Sequence, residues 1–346
     1  MTLERIAADF LPQIDAELKD ITRSSHHSLG TYYGMLHYHL GWVDEALAPI
    51  HTIGGKRLRP LLCLLSCQAL DGDPHQALPA ACAIELIHDF SLIHDDIQDG
   101  SRTRRGRRAV WDIWGMNQGI NVGDGLFALA HLALHRLSRR NVPPSRQLAA
   151  SLALDRACLA LCEGQFADMA FEGRLDVDLD QYLRMIRHKT AALVAAATQV
   201  GAILATDDAR TIEQCYQFGK HLGLAFQIKD DILGTWGDEQ VSGKSAASDI
   251  RDRKNTLPVV YALNQPHNRQ AARQLSGLYA RQAPLDEAAI QAVLDILHTV
   301  DARRHAEEMA RSYYHLALQH LEETGLDSAA QVHLRELASS LLGRQA

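Results

Sequence analysis

The chain has 346 residues, long enough for one large or two average domains with a sizeable core. Its formal net charge of −7 gives no basic field over the surface, which argues against nucleic acid as a partner. The N-terminal stretch is amphipathic and acidic, unlike a signal peptide, and no uninterrupted run of about 18 apolar residues predicts a transmembrane segment.

The cysteines lie inside apolar, helix-like stretches, and none completes the spacing of a zinc site. We therefore expect buried free thiols and a reducing, cytoplasmic compartment. These cysteines are Cys63, Cys67, Cys82, Cys158, Cys162 and Cys215.

Apolar residues recur with a helical period along nearly the whole chain, and the alternation typical of strands is almost absent. The breaks between periodic segments are short and rich in glycine, proline and aspartate, so we predict a single all-α domain over residues 1–346. Helices are predicted near 2–20, 30–47, 57–71, 77–99, 117–140, 144–172, 179–204, 208–233, 255–264, 267–281, 286–298, 301–324 and 329–343.

A basic loop precedes the third predicted helix. Gly54 and Gly55 allow close backbone approach, and Lys56 and Arg59 at a helix N-terminus could hold a phosphate group. A basic helix start that merely faces solvent would give the same local pattern.

The stretch 84–105, IELIHDFSLIHDDIQDGSRTRR, carries the clearest polar signal. At about 100° per residue, His88, Asp95 and Asp99 fall within one narrow face of a helix. The glycine that follows is a natural stop, so these carboxylates and that of Asp96 gather at a helix C-terminus, where the macrodipole disfavours negative charge. A purely structural helix gains nothing from this arrangement.

Bound cations would account for the acidic helix end. Mg²⁺ takes one or two carboxylates, retains waters and completes its octahedron with substrate phosphates. Asp95 and Asp99, about 6 Å apart along the helix axis, could share ions with a diphosphate, and Arg104 and Arg105 supply positive charge for the same anion. A solvated acidic helix end followed by a basic loop remains the structural alternative.

Further polar groups interrupt the apolar helices of the second half. Gln165 and Asp168 lie on an otherwise apolar helix, which predicts that this helix lines something polar. Lys189 belongs to a basic turn before an Ala-rich helix, and Asp230 and Asp231 form a second acidic pair near a helix end.

Five segments together resemble the all-trans polyprenyl diphosphate synthase family. They are GGKRLRP, IELIHDFSLIHDDIQD with RRG after it, HKTAALVAAATQVGA, FQIKDDILGTWGDEQVSGK and DIRDRKNTLPVV, in this order between about residues 50 and 265. Residues 1–50 would form N-terminal helices. The resemblance implies an all-α bundle around a central cavity and a reaction that joins isopentenyl diphosphate to an allylic diphosphate.

The resemblance also implies roles for individual residues. Lys56, Arg59, His88 and Arg105 correspond to ligands of isopentenyl diphosphate. Arg104, Lys189 and Lys244 are expected to neutralise the allylic diphosphate, while Thr190 and Gln227 face the developing cation. About three Mg²⁺ ions per site are implied, held by the acidic motifs Asp95, Asp96, Asp99, Asp230 and Asp231.

The second acidic motif departs from the family at Gly234, where a third aspartate is usual. We expect this difference to weaken the metal site rather than abolish it. We also expect Gly234 to end its helix early and to loosen the loop 235–249, which would cover the mouth of the cavity.

Product length in this family depends on the floor below Asp95. Phe90, five residues before Asp95, and Ser91, four before it, resemble the pattern of short-chain geranylgeranyl (C20) synthases. A second aromatic residue at the position of Ser91 would instead suggest a farnesyl (C15) product. A homodimer is expected from the family.

Two other classes share part of the pattern. A class I terpene cyclase shares the helical fold and the DDxxD motif, but its second motif ends in Glu, where this chain has Ala246. A weakly active regulatory subunit of another prenyl synthase should have lost acidic motifs, and Gly234 is the feature that favours it. A farnesyl or longer-chain synthase is the alternative within the same chemistry.

Overall fold

The computed structural model describes residues 3–24, 26–50, 57–237, 247–281, 283–326 and 328–343. This described part is overwhelmingly helical, which confirms the all-α class. The α-helices are α1 Leu3–Ile21, α2 Gly30–His39, α3 Leu58–Ala69, α4 Pro74–Gln98, α5 Val110–Trp114, α6 Met116–His135, α7 Pro144–Phe171, α8 Leu179–Ile186, α9 Ala192–Ala205, α10 Ala209–Trp236, α11 Ser248–Arg251, α12 Leu257–Leu263, α13 Arg269–Tyr279, α14 Glu287–Thr299, α15 Ala302–Glu323 and α16 Ala329–Leu342.

The residues group into two compact units, each assembled from three stretches of chain. The first unit contains Met1–Cys158, Ala196–Tyr216 and Glu323–Glu336. The second unit contains Leu159–Ala195, Gln217–Glu322 and Leu337–Ala346. A single domain over the whole chain stays a prediction.

Helix α4 is the central helix of the first unit. Asp73 caps its N-terminus by accepting a hydrogen bond from the backbone N–H of His75 at 2.9 Å, and Pro74 occupies the first turn, where no N–H is required. The helix packs against α3 and α6, and most of its side chains are buried. It therefore begins a turn earlier than the apolar periodicity predicts, and it ends before Gly100, whose φ is +64°.

By length and composition, α4 is the one described helix that could cross a membrane. However, 78% of its most apolar window is buried inside the protein. The helix therefore has the properties of a core helix.

A small hairpin follows α4 and was not predicted from the sequence. Strands β1 Thr103–Arg104 and β2 Arg107–Arg108 pair antiparallel, and the two turn residues Arg105 and Gly106 have φ of +54° and +74°. Positive φ at both positions is the requirement of a type I′ turn, which fits the twist of paired strands. The hairpin places Arg104 and Arg105 beside the end of α4.

Two predicted helices are wrong in extent. The helix predicted over 30–47 ends at His39, because Gly41 has a φ of +86° and the chain then forms a bridge between Val43 and Pro49. The helix predicted over 179–204 is interrupted by a π-helical turn, Arg187–Ala191, which separates α8 from α9.

The second unit has a continuous apolar core around α8, α10 and α12. Tyr182, Leu224, Ile228 and Ile232 are among its buried members. The polar residues of the second acidic motif lie next to this core.

The cysteines are all free, and five of the six are buried. Cys162 is exposed, so the expectation of a buried thiol is wrong at that position. It lies on α7 in a line of exposed side chains, whereas the other thiols face the helical cores.

Candidate active site

The last turn of α4 presents two aspartates and buries a third. Asp95 is partly exposed and Asp99 is exposed at the C-cap, whereas Asp96 is 1% exposed. Arg104 of the hairpin contacts both Asp95 and Asp96: its Nη2 lies 2.5 Å from Asp96 Oδ1 and 3.2 Å from Asp95 Oδ2. A cation of the protein itself thus partly neutralises this acidic end.

Burial is the largest influence on the pKa of Asp96 and raises it above the ordinary range, although the hydrogen bond and charge of Arg104 oppose that shift. The same partnership raises the pKa of Arg104, although desolvation opposes it. Asp96 therefore anchors Arg104, while Asp95 and Asp99 retain the more accessible oxygens.

Arg59 and His88 lie close together in the first unit. Desolvation lowers the pKa of Arg59, and desolvation together with the charges of Arg59 and Arg105 lowers that of His88 well below its ordinary range. The His88 imidazole is therefore neutral near pH 7. Within the described part of the chain, Arg59 Nε is a buried donor without a hydrogen-bond partner, which suits a group that receives an anion.

A buried ionic network lies beside Arg105, one of the predicted diphosphate ligands. Arg57 donates from Nη1 to Glu85 Oε1 at 3.0 Å and to Asp89 Oδ2 at 3.4 Å, while His39 Nε2 lies 3.3 Å from Asp89 Oδ1. Arg105 Nη2 lies 3.9 Å from Asp89 Oδ1. Although burial opposes it, the nearby His39, Arg57 and Arg105 lower the pKa of Asp89, so this residue stays ionised.

Phe90 and Ser91 have different surroundings. The buried Phe90 ring meets the ring of Phe127 on α6 edge to face, with centroids 5.3 Å apart. Ser91 donates its hydroxyl to the carbonyl of His88 at 2.7 Å, so its polar group is satisfied within its own helix.

In the second unit, the π-turn carries Lys189 and Thr190. Lys189 Nζ lies 2.6 Å from Asp168 Oδ2 on α7. A Cβ on Gly164 would collide with the backbone of Lys189, so the absence of a side chain allows the π-turn to approach α7 closely. The polar position Asp168, noted from the sequence, therefore serves as the partner of Lys189.

A chain of hydrogen bonds runs from Thr190 into the core. Thr190 Oγ1 donates to Gln227 Oε1 at 2.7 Å, and Gln227 Nε2 donates to Asp231 Oδ1 at 2.9 Å. Asp231 Oδ2 accepts from Tyr182 Oη at 2.5 Å and from the backbone N–H of Leu257 at 2.8 Å. Burial raises the pKa of Asp231 to about 7, against the lowering effect of these donors.

Asp230 is partly exposed, whereas its neighbour Asp231 is buried. Gly234 lies within α10, which continues to Trp236, so the expected early helix end at Gly234 is wrong. A Cβ on Gly234 would collide with the carboxylate of Asp249 on α11, at 2.5 Å from its Cγ. A carboxylate from another element therefore fills the space beside Gly234.

Some predicted residues fall outside the described part of the chain. Lys56 and the glycines before it belong to 51–56, and Lys244 belongs to 238–246. The predicted loop 235–249 is wrong at both ends, because Thr235 is helical in α10 and Asp249 is helical in α11.

The acidic residues have donor chemistry suited to magnesium. Among the described residues, no three His, Cys, Asp or Glu side chains converge into a preformed metal cage. Asp95 and Asp99 provide carboxylate oxygens one turn apart in the first unit, and Asp230 provides another in the second. Mg²⁺ commonly takes one or two carboxylates and fills its other positions with water and substrate phosphates. The carboxylates of each unit, taken separately, therefore fit an ion that binds together with a diphosphate.

Several residues around these sites had no strong local signal in the sequence. Tyr182, Gly164 and Phe127 lie far along the chain from their partners. The glutamate and aspartate of IELIHDF, Glu85 and Asp89, were visible as polar positions in an apolar helix, which buried helices tolerate only with partners.

Comparison with protein families gives a match that covers most of the chain. The polyprenyl synthetase family model matches residues 41–297. Proteins of this family generally use Mg²⁺.

Similar relatives include enzymes of two product lengths. A geranylgeranyl diphosphate synthase of Mycobacterium tuberculosis is 42% identical over 282 residues, which cover 82% of this chain and 76% of the relative. A (2E,6E)-farnesyl diphosphate synthase of the same organism is 38% identical over 312 residues, covering 89% and 85%.

Solved structures agree with these relatives. A polyprenyl synthetase from Streptomyces coelicolor A3(2) matches with a TM-score of 0.87 at 33% identity, and 98% of each chain is covered. A geranylgeranyl pyrophosphate synthetase from Pyrococcus horikoshii Ot3 matches with a TM-score of 0.86 at 32% identity, and 99% of each chain is covered.

Proposed function

Because the chain belongs to the polyprenyl synthetase family and is a trans-prenyltransferase, we propose that it extends allylic diphosphates with isopentenyl diphosphate mainly to geranylgeranyl diphosphate (C20). The proposal assigns the two diphosphates to the cationic groups described above. Product length would be limited by Ser91 and Phe90 on α4, together with Phe127 on α6.

The surroundings of Ser91 are the observation that carries the product length. Ser91 lies about 40° from Asp95 around the helix, one turn below it. Its side chain is small enough that a growing prenyl chain would pass beside it, and its hydroxyl is already bonded to the carbonyl of His88. The aromatic pair Phe90 and Phe127 then provides a bulky apolar wall deeper along the helix.

The relatives support the proposed product without deciding it. The geranylgeranyl diphosphate synthase of M. tuberculosis has the higher identity, 42%. The farnesyl diphosphate synthase matches a longer stretch at 38% identity, so farnesyl diphosphate (C15) is the second candidate product.

The residues of the first unit would bind and orient the diphosphates. Neutral His88 can donate an N–H to a phosphate oxygen, and Arg59 and Arg105 supply charge next to it. Arg104 would divide its hydrogen bonds between Asp96 and the allylic diphosphate.

The reaction breaks the allylic C–O bond, and its electron pair leaves with pyrophosphate. Bound Mg²⁺, which we propose at about three ions per site held by Asp95, Asp99 and Asp230, would neutralise that negative charge. Lys189, and Lys244 from outside the described residues, would add fixed positive charge.

The allylic cation is then attacked by the double bond of isopentenyl diphosphate, which forms the new C–C bond. The proton lost from the adjacent carbon passes to the departed pyrophosphate, so the proposed mechanism assigns no base to a side chain. Thr190 and Gln227 would face the cation with the negative ends of their dipoles.

We place the enzyme in the cytoplasm and propose that it is a homodimer. Buried free thiols suit a reducing compartment. In the first unit, Met116 and Ile120 form one exposed apolar face of α6, and in the second unit Leu159 and Phe166 of α7 are exposed to 63% and 75%. Apolar rows of this kind are commonly covered by another protein surface. A second copy of this chain is the proposed cover.

The experiment incubates the purified protein with Mg²⁺, labelled isopentenyl diphosphate and, separately, dimethylallyl, geranyl and farnesyl diphosphate, and then sizes the products. A dominant C20 product supports the proposal, whereas a C15 product or products of C25 and longer would contradict it. No elongation with any primer would favour a weakly active partner subunit, the alternative that Gly234 suggested. Sedimentation of the wild type and of Phe166→Glu tests the dimer, which this substitution should dissociate.

A further inference from the structure

The hydrogen-bonded chain of Thr190, Gln227, Asp231 and Tyr182 lies in the second unit and becomes more buried along its length. Thr190 and Gln227 are partly exposed, whereas Asp231 and Tyr182 are 5% and 1% exposed. The distances between donor and acceptor range from 2.5 Å to 2.9 Å. Such a chain has a direction, because each hydroxyl or amide group within it donates to one neighbour and accepts from the other.

The direction is dictated at the buried end. Leu257 contributes a backbone N–H, which can only donate, and it points at Asp231 Oδ2. Both carboxylate oxygens of Asp231 accept hydrogen bonds in this structure, so the end of the Gln227 amide that faces Asp231 is its NH₂. The Gln227 carbonyl then faces Thr190, and the Thr190 hydroxyl must donate to it.

This direction decides how the hydroxyl of Thr190, at the exposed end of the chain, is oriented. Because the Thr190 hydrogen is committed to Gln227, the free lone pairs of the Thr190 oxygen are directed away from Gln227. We propose that Asp231 is a positioning residue, held in place by Tyr182, which fixes this polarity so that Thr190 presents oxygen rather than hydrogen to an allylic cation. This inference rests on the proposed function and adds to it the polarity of the cation site.

In this arrangement Asp231 has a different role from the one expected from the sequence. The sequence assigned it to the metal site with Asp230, but both of its oxygens accept hydrogen bonds from protein donors. A metal ion would have to compete with these donors at a buried carboxylate. Asp230, which is partly exposed, is the member of the pair that can hold an ion.

The π-turn supports this arrangement. It brings Thr190 within 2.7 Å of Gln227 while Lys189 of the same turn pairs with Asp168. π-Helical turns are uncommon and occur frequently at functional sites. The adjacent residues Lys189 and Thr190 thus present a cation to the leaving group and an oxygen to the carbon centre.

The decisive variant is Asp231→Asn. Its carbonyl oxygen can still accept from Tyr182 and Leu257, so its NH₂ faces Gln227 and turns the Gln227 carbonyl towards itself. Thr190 must then accept from Gln227 and point its hydrogen outward. We expect a loss on the order of 100-fold in the single-turnover rate, with the Mg²⁺ activation midpoint unchanged. A metal ligand would instead shift that midpoint.

The second variant, Tyr182→Phe, removes the hydroxyl that donates to Asp231 and adds no new donor. Tyr182→Phe keeps the polarity but loosens Asp231, so we expect a loss of less than about tenfold in the single-turnover rate. The matched control is Tyr279→Phe, in the same unit: Tyr279 is also buried, and among the described residues its hydroxyl has no hydrogen-bond partner. The control should retain the wild-type rate.

A double variant restores the direction by a different route. In Gln227→Glu with Asp231→Asn, the new carboxylate accepts from both the asparagine NH₂ and Thr190, so Thr190 donates again. We expect at least about a tenfold recovery over Asp231→Asn alone. Rates are measured per folded active site, at one pH for all variants, and circular dichroism confirms the fold of each variant.

The proposal is overturned if Asp231→Asn shifts the Mg²⁺ midpoint, if it leaves the single-turnover rate unchanged, or if the double variant shows no recovery. Failure of the proposed product is a separate result, because it is read from the wild type alone. A wild type that makes C15 product would contradict the C20 proposal, while the rate ratios among the variants would still test the polarity of Thr190.

Discussion

The two acidic helix ends of this protein use the same pair of residues in different surroundings. On α4, Asp95 is partly exposed and Asp96 is buried; on α10, Asp230 is partly exposed and Asp231 is buried. Asp96 is neutralised by a charged partner, Arg104, whereas Asp231 is held by neutral donors, among them Tyr182.

The difference shows that a repeated dipeptide can have two kinds of partner. A carboxylate paired with an arginine fixes the position of a cation. A carboxylate held by a phenol, an amide and a backbone N–H fixes the direction of neutral dipoles instead. In both pairs the first aspartate stays accessible, so the accessible member is the one suited to a metal ion.

The largest effect is expected from the accessible aspartate of the first pair. Asp95→Asn removes a carboxylate that fits Mg²⁺, so we expect the turnover rate to fall about 10²–10³-fold and the Mg²⁺ requirement to rise. Steady-state kinetics over a range of Mg²⁺ concentrations measures both. Asp9→Asn, at an exposed carboxylate on α1, is the control and should change neither.

Removing the partner of the buried Asp96 should destabilise the protein more than removing one partner of the buried Asp231. Arg104→Met leaves the Asp96 carboxylate buried without its cation, and we expect the free energy of unfolding to fall by about 1.5–3 kcal/mol. Tyr182→Phe removes one of several neutral donors to Asp231, and we expect about 1 kcal/mol. Urea unfolding without substrate measures both, and an equal loss in the two variants would remove the distinction between the pairs.

Gly234 offers a test of how the second acidic end is packed. A Cβ at this position would collide with the buried carboxylate of Asp249, so Gly234→Ala should lower the free energy of unfolding by about 1 kcal/mol or more. Gly234→Asp restores the usual family residue but adds like charge beside Asp249, so it should destabilise further rather than increase activity. The double variant Gly234→Asp with Asp249→Ala should recover stability.

Substitutions at Ser91 and Phe127 should give the smallest change in rate and the clearest change in product length. Ser91→Phe should shorten the main product, and Phe127→Ala should lengthen it by removing the ring that packs on Phe90. The turnover of the first condensation should stay within about tenfold of the wild type. Product sizing after a fixed number of turnovers measures the shift, and Ser138→Phe, at an exposed position, is the control.

The sequence alone determined the fold class, most helix positions and the family, while the chemistry of the site stays a prediction. Helices after residue 250 lie within a few residues of their predicted limits, because amphipathic spacing reports which face is buried. The DDxxD run and the order of the motifs were sufficient to predict a diphosphate site and the family. Local sequence also contained the cap at Asp73 and Pro74 that begins α4, although periodicity by itself placed the start later.

Tertiary structure decided what each polar residue does. Adjacent aspartates look equivalent in a sequence, but burial and partners from distant elements made Asp231 an acceptor for Tyr182 and made Asp96 the anchor of Arg104. The place of Gly234 was likewise decided by Asp249, a residue on another helix. Helix periodicity is a local property, whereas the protonation, direction and accessibility of a polar group depend on every element packed around it.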